Sequence, residues 1–423
     1  MNYKKTTLKN GLRIITAPMV GTETATVVAM IGVGSRYETD REAGLSHFIE
    51  HMLFKGTQKR PTTLDISTEL DEIGGDFNAF TSKDTTAYYA KADARHMEKI
   101  IDVIADIYLH SKFEEAEIKK ESGTIIQEIN MYEDMPMRSV ENIFEQLLYP
   151  KSSLGRDIAG SKKTVASFRR KDFLDYITRH YMANDTVVCV AGKFDEKKVL
   201  AQIRRNFSVM EKKKDTKITK VKEAQKVSQL RVRFKKTDQT HFILGVRAYK
   251  SDHRDRYALS LLATILGANM SSRLFIEVRE KRGLAYYVRT GVEAYADTGY
   301  LATQVGVEHK NLKLAVETIL REYARIASEP VDGKELQKAK DFIKGKSVMG
   351  MEASDAVAMF FAGQEVEREK VLTLEEKFVL IDRVTPKDVL RVAKDIFQDK
   401  KLNLAIIGPH KGGAELKKLL KLK

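Results

Sequence analysis

The strongest constraint on the fold is that the chain repeats itself. Residues 172–192, from Asp172-Phe-Leu-Asp-Tyr-Ile-Thr-Arg-His-Tyr to Val187-Val-Cys-Val-Ala-Gly192, match 388–408, from Asp388-Val-Leu-Arg-Val-Ala-Lys-Asp-Ile-Phe to Leu404-Ala-Ile-Ile-Gly408, without a gap. Each reads as an amphipathic helix followed by a buried strand ending in glycine. Asp84 to Tyr108 parallels Asp297 to Tyr323 with a small insertion, each a strand leading into an amphipathic helix. A duplicated set of this kind predicts an α+β fold of two homologous domains, each a largely antiparallel sheet with helices packed on one face. The chain's 423 residues, 43% of them hydrophobic, suffice for two cores of about 200 residues each. We place the domains at 1–210 and 230–423, with a linker at 211–229.

The linker assignment rests on charge. Seven lysines fall between Lys212 and Lys226, where the apolar period breaks down, in a chain whose net charge is +14. A nucleic-acid-binding segment interleaves basic residues with aromatics, and this stretch has none, so it reads as a solvated linker. The excess charge favours acidic or neutral partners through long-range steering. No apolar run reaches the roughly 18 residues of a membrane span, and the start, Met1-Asn2-Tyr3-Lys4-Lys5, has no apolar signal core, which predicts a cytoplasmic protein. Cys189 is the only cysteine and sits in an apolar run, so it reads as a buried structural thiol.

The first copy carries chemistry. His47, Glu50 and His51 form H-x-x-E-H inside Leu45-Ser-His-Phe-Ile-Glu-His-Met-Leu-Phe54, whose apolar residues keep helical spacing. Positions four apart on a helix lie one above the other, so both imidazoles can reach one tetrahedral Zn²⁺, and Glu50 projects from the same face as a general base. This is the inverzincin order of the motif. A third ligand is needed. The helical pattern of 117–133 carries Glu121 and Glu128 two turns apart on one face.

At this point the chain resembles the pitrilysin/insulinase metallopeptidase family, which includes the mitochondrial processing peptidases and their short-chain bacterial relatives. The resemblance implies one Zn²⁺ per chain, held by His47, His51 and Glu128, with Glu121 orienting a ligand. It also makes Gly74-Gly-Asp-Phe-Asn-Ala-Phe-Thr81 an edge strand that pairs with substrate through Asn78, Ala79 and Phe80. Taken without the family, Asn78 reads as a turn residue after the double glycine. Ser271-Ser-Arg-Leu-Phe-Ile-Glu-Val-Arg279-Glu-Lys-Arg-Gly283-Leu-Ala-Tyr286 resembles the segment that supplies an active-site arginine and tyrosine, here Arg279 and Tyr286. By itself that run is a helix end with a glycine cap.

The second copy has lost the metal set. Aligning Leu259-Ser260 with Leu45-Ser46 puts Leu261, Thr264 and Ile265 opposite His47, Glu50 and His51, while Ala339 and Lys346 fall opposite Glu121 and Glu128. The resemblance further implies that the chain is one half of a clamshell. A homodimer would then complete each site in trans, with Arg279 and Tyr286 from the second chain, around a chamber for peptides or unfolded segments. The expected activity is that of a zinc metalloendopeptidase hydrolysing such peptides. The alternatives are a specific processing or maturation peptidase and a non-catalytic scaffold subunit.

Overall fold

The computed structural model describes residues 2–212, 218–367 and 370–422, so 213–217 of the expected linker lie outside the described residues. Residues 218–228 form neither helix nor strand. The chain divides into two compact units, Met1–Ile129 with Arg156–Thr219 and Ser347–Glu375, and Asn130–Gly155 with Lys220–Lys346 and Glu376–Lys423. These units differ from the continuous stretches 1–210 and 230–423, because each sequence copy gives a helix to the unit built mainly from the other.

Unit 1 holds a six-stranded sheet in the order β1-β2-β6-β3-β5-β4. Its strands are β1 (Lys4–Thr7), β2 (Arg13–Pro18), β3 (Thr24–Ile31), β4 (Asp76–Thr81), β5 (Thr86–Asp93) and β6 (Thr186–Gly192). All neighbours are antiparallel except β2 and β6, which run parallel from Arg13↔Val187 to Pro18↔Gly192. Unit 2 holds β7 (Gln229–Phe234), β8 (Thr240–Ala248), β9 (Ala285–Ala294), β10 (Gly299–Val307) and β11 (Leu402–Gly408), in the order β7-β11-β8-β10-β9. Its one parallel pair is β7 with β11, from Gln229↔Asn403 to Phe234↔Gly408. The second sheet therefore repeats β2-β6-β3-β5-β4 strand for strand, the duplication expected from sequence. The paired helix-strand runs appear as the helix Arg170–His180 before β6 and the helix Pro386–Ile396 before β11.

Strand periodicity explains the layers. Along β3, Val27, Ala29 and Ile31 face the helices Leu45–Leu53 and Met97–His110, while Val28 and Met30 face the opposite side. That opposite side is covered by a helix from the second copy, Ser354–Glu367, whose Val357, Ala358 and Phe361 pack on Val28, Met30 and Cys189. In unit 2, Phe242, Leu244 and Val246 of β8 face the main helical layer. Ile243 turns the other way, onto Val140, Ile143 and Phe144 of the first copy's helix Pro136–Leu148. Gly245 permits the approach, since a Cβ there would stand 2.8 Å from the Phe144 ring. Buried carboxylates fix both exchanges. Glu365 pairs with Lys5 at 2.6 Å and Arg13 at 3.2 Å, and Glu145 accepts from the Tyr295 hydroxyl at 2.6 Å. Among the described residues no helix is long and apolar enough to cross a membrane.

Candidate metal centre

The motif helix Leu45–Leu53 is only nine residues long, too short to persist alone in water. Its inner face secures it. Leu45, Phe48, Ile49, Met52 and Leu53 are buried, at about 1.5 to 3 kcal/mol each, and Phe48 meets Phe173 edge to face at 4.9 Å. Its N-terminus is held by Glu38, whose carboxylate accepts the N–H of Ser46 at 2.7 Å and of Gly44 at 2.9 Å. Burial pushes the Glu38 carboxyl up to about 7, and those N–H groups together with Arg156 restrain the rise. Gly44 has φ +96° and passes so close to Ala159 that a Cβ would lie 2.5 Å from its carbonyl oxygen. No other residue type fits there without a shift of backbone.

With its inner face buried, the helix presents His47, Glu50 and His51 together. The long helix Glu115–Asp134 lies against them, anchored by Ile118, Ile125 and Ile129, and Glu121 and Glu128, seven residues apart on one face, reach the imidazoles. Ligand atoms of His47, His51 and Glu128 all lie within 4.8 Å of one another, the one such group among the described residues. Glu128 Oε1 is 3.6 Å from His47 Nε2, and its Oε2 is 3.6 Å from His51 Nε2. Both separations exceed a hydrogen bond. They approximate the ~3.4 Å expected between two ligands each about 2.0–2.1 Å from one tetrahedral ion.

The surrounding charges complete the fit. Glu121 Oε1 stands 2.8 Å from His51 Nδ1, which fixes that ring with Nε2 toward Glu128. Lys55 holds the other Glu121 oxygen at 2.6 Å. Burial works against ionisation of Glu121, but His51 and Lys55 outweigh it and keep the carboxyl below its usual range. For His47, burial pulls the pKa down, whereas Glu128, Glu50 and Asp157 overcome it and raise the value. The pocket thus has a field that attracts a cation, and its donor set of two imidazoles and a carboxylate suits Zn²⁺. His47 Nδ1 is buried and has no hydrogen-bond partner among the described residues. Glu50 is half-buried, and its Oε2 accepts a 2.6 Å hydrogen bond from Thr81 Oγ1.

Asn78, Ala79 and Phe80 lie in β4, which pairs with β5 on one side and forms the edge of the sheet. Asn78 is therefore a strand residue rather than a turn residue. Its Oδ1 accepts from the N–H of Ala79 at 2.8 Å, and it shares the outer face with the exposed Phe80, while Phe77 and Ala79 pack inward. In unit 2, Arg279 lies in the last turn of a wide-turned π-helix, Phe275–Glu280, and Gly283 at φ +58° follows as a left-handed cap. Arg279 Nη1 donates to the Tyr286 carbonyl at 2.7 Å, and its guanidinium stacks on the rings of Phe275 and Tyr286 at 4.8 and 5.2 Å. Tyr286 stands on edge strand β9 and is 78% exposed. Opposite the metal set, the second copy buries Leu261, Thr264, Ile265 and Ala339, and the Lys346 ammonium lies 6.0 Å from the Phe342 ring.

Sequence reasoning did not single out Glu38, Lys55 or Thr81. Lys55 stands four residues after His51, a spacing that would have suggested it as a partner on the same face. Glu38 and Thr81 reach the motif helix from a loop and a strand, and nothing local in sequence marks them.

Fold and site together define a class, a duplicated α+β protein with one His-His-Glu group in its first half and, among the described residues, none in its second. The family model described as Insulinase (Peptidase family M16) matches residues 13–162, and that described as Peptidase M16 inactive domain matches 167–342. The chain belongs to this peptidase family. An uncharacterized zinc protease of Bacillus subtilis is 34% identical over 406 residues, covering 96% of this chain and 98% of the relative. Another, from Streptomyces coelicolor, is 33% identical over 414 residues, covering 96% and 90%. Among solved structures, a protease from Helicobacter pylori shares the fold at a TM-score of 0.90 and 23% identity, covering 96% of this chain and 99% of that one. A chain of complex III from Candida albicans does so at 0.86 and 18%, covering 99% of each. The latter two likenesses speak to fold alone.

Proposed function

We propose that the protein is a zinc-dependent endopeptidase acting on peptides or unfolded segments. The observation that carries this reading is the convergence of His47, His51 and Glu128 around one point beside Glu50. Zn²⁺ held there supplies a Lewis acid that brings the pKa of water to about 7. Glu50 accepts the proton of the attacking water and returns it to the leaving amine. The open edge of β4 binds an extended backbone, with Asn78 and Phe80 on its outer face and Ala79 in the strand between them. Arg279 holds substrate carbonyls by charge-assisted bonds, and the exposed Tyr286 hydroxyl donates to the tetrahedral oxyanion. The test is direct. Purified protein is expected to contain one zinc per chain and to cleave a quenched peptide library, with activity lost to a chelator and regained with zinc. Zinc-loaded protein that leaves the library intact would favour a scaffold role, and cleavage of a single leader would favour a specific processing peptidase.

We further propose a cytoplasmic homodimer whose two chambers each unite the metal centre of one chain with Arg279 and Tyr286 of the other. The support is that the two sets lie in different units and that the family resemblance pairs facing halves. Mixing a Glu50→Gln chain with a Tyr286→Phe chain, each nearly inactive, is then expected to restore about a quarter of wild-type activity after subunit exchange. One site of each mixed dimer is intact, and about half the dimers are mixed. No recovery after verified exchange would sink the trans arrangement.

A further inference from the structure

We propose that Thr81 is a positioning residue that couples the substrate-binding strand to the general base; this rests on the peptidase reading above. Thr81 is the last residue of β4, paired with Thr86 of β5, and its hydroxyl reaches Glu50 Oε2 at 2.6 Å. Alternation along the strand sends Phe77, Ala79 and Thr81 to the inner face, where Phe77 and Ala79 pack against the core that buries the motif helix. Asn78 and Phe80 face outward from the same six residues. One short strand therefore offers its open edge to an extended peptide and, through its final side chain, holds the carboxylate that must meet the attacking water.

The chemistry of the contact is specific. A carboxylate side chain three rotatable bonds from the helix backbone has several orientations of similar energy. By donating to Oε2, Thr81 fixes the plane of the carboxylate and leaves Oε1 free to accept the proton of the water. It also satisfies one oxygen of a half-buried charge, which keeps the side chain from turning toward other donors. A peptide pairing with β4 orders the strand, and the strand holds the base, so occupancy of the edge and readiness of the base become linked. A displacement of about 1 Å in such a group is enough to cost 10²-fold in rate.

Thr81→Val keeps the shape and β-propensity of the residue and removes the donor. The expected result is a fall in kcat of about 10 to 100-fold, with KM within about twofold and zinc affinity and melting temperature unchanged. Thr81→Ser, which retains the hydroxyl, should recover most of the loss. A merely structural role would lower the melting temperature and would not be rescued by serine, a smaller residue with poorer strand preference. Unchanged kcat in Thr81→Val, or a loss confined to KM, overturns the proposal. If wild-type protein with zinc cleaves no peptide, the peptidase reading fails first, and the two failures are thereby separated.

Discussion

Glu50→Gln is expected to lower kcat by about 10² to 10⁴, or roughly 3 to 5 kcal/mol of transition-state stabilisation, while zinc content and melting temperature stay at wild-type values. The expectation follows from what the substitution preserves. Glutamine has the same shape, and its amide oxygen can still accept from Thr81 Oγ1, which lies 2.6 Å from Glu50 Oε2. The ligand atoms on His47, His51 and Glu128 belong to other side chains and are left in place. What disappears is the capacity to accept a proton from water and hand it to the leaving amine. Zinc analysis, thermal melting and steady-state hydrolysis of a quenched peptide together isolate that loss. A kcat within tenfold of wild type, with zinc bound, would refute the assignment of Glu50 as the base.

The second large effect concerns the metal. Glu128→Gln is expected to abolish tight zinc binding, whereas Glu121→Gln should weaken it by about 10 to 100-fold. The two glutamates sit on one helix, seven residues apart, yet their surroundings separate their roles. Glu128 offers one oxygen to each imidazole nitrogen at 3.6 Å, and its charge opposes the two positive charges of the ion. Glu121 faces the far nitrogen of His51 at 2.8 Å and is itself held by Lys55. It sets the ring's orientation and basicity without facing the metal point. Losing it frees a ring, and losing Glu128 removes one of three donors. Competition titration against a chelator of known affinity measures both. Equal affinities in the two variants would show that ligand and support have been misassigned.

Much of this site was legible in the chain because helical periodicity is local. Four residues from His47 to His51 and seven from Glu121 to Glu128 place side chains on one face whatever the rest of the molecule does, and both segments are helices, Leu45–Leu53 and Glu115–Asp134. The duplicated helix-strand runs likewise became β6 and β11 at matching positions of two sheets. The strand Asp76–Thr81 was expected only from the resemblance, since Asn78 alone pointed to a turn. The pairing of Arg279 with Tyr286 came from resemblance, since the residues alone gave no more than a capped helix end, and Gly283 does serve as that cap.

The sequence by itself determined that the motif segments form helices, that helix-strand runs occur twice, and which copy carries the His-His-Glu set. Tertiary structure decided which surfaces those segments cover. The helices Pro136–Leu148 and Ser354–Glu367 each lie in the unit built mainly from the other copy, as Phe144 on Gly245 and Glu365 with Lys5 and Arg13 record. It also decided that a loop carboxylate, Glu38, caps the motif helix and that a strand hydroxyl, Thr81, reaches the Glu50 carboxylate. The reason is physical. Periodicity specifies that a face will be buried, whereas its partner is fixed by volume, hydrogen-bond satisfaction and charge pairing among residues far apart in the chain, and these exist only once the chain has packed.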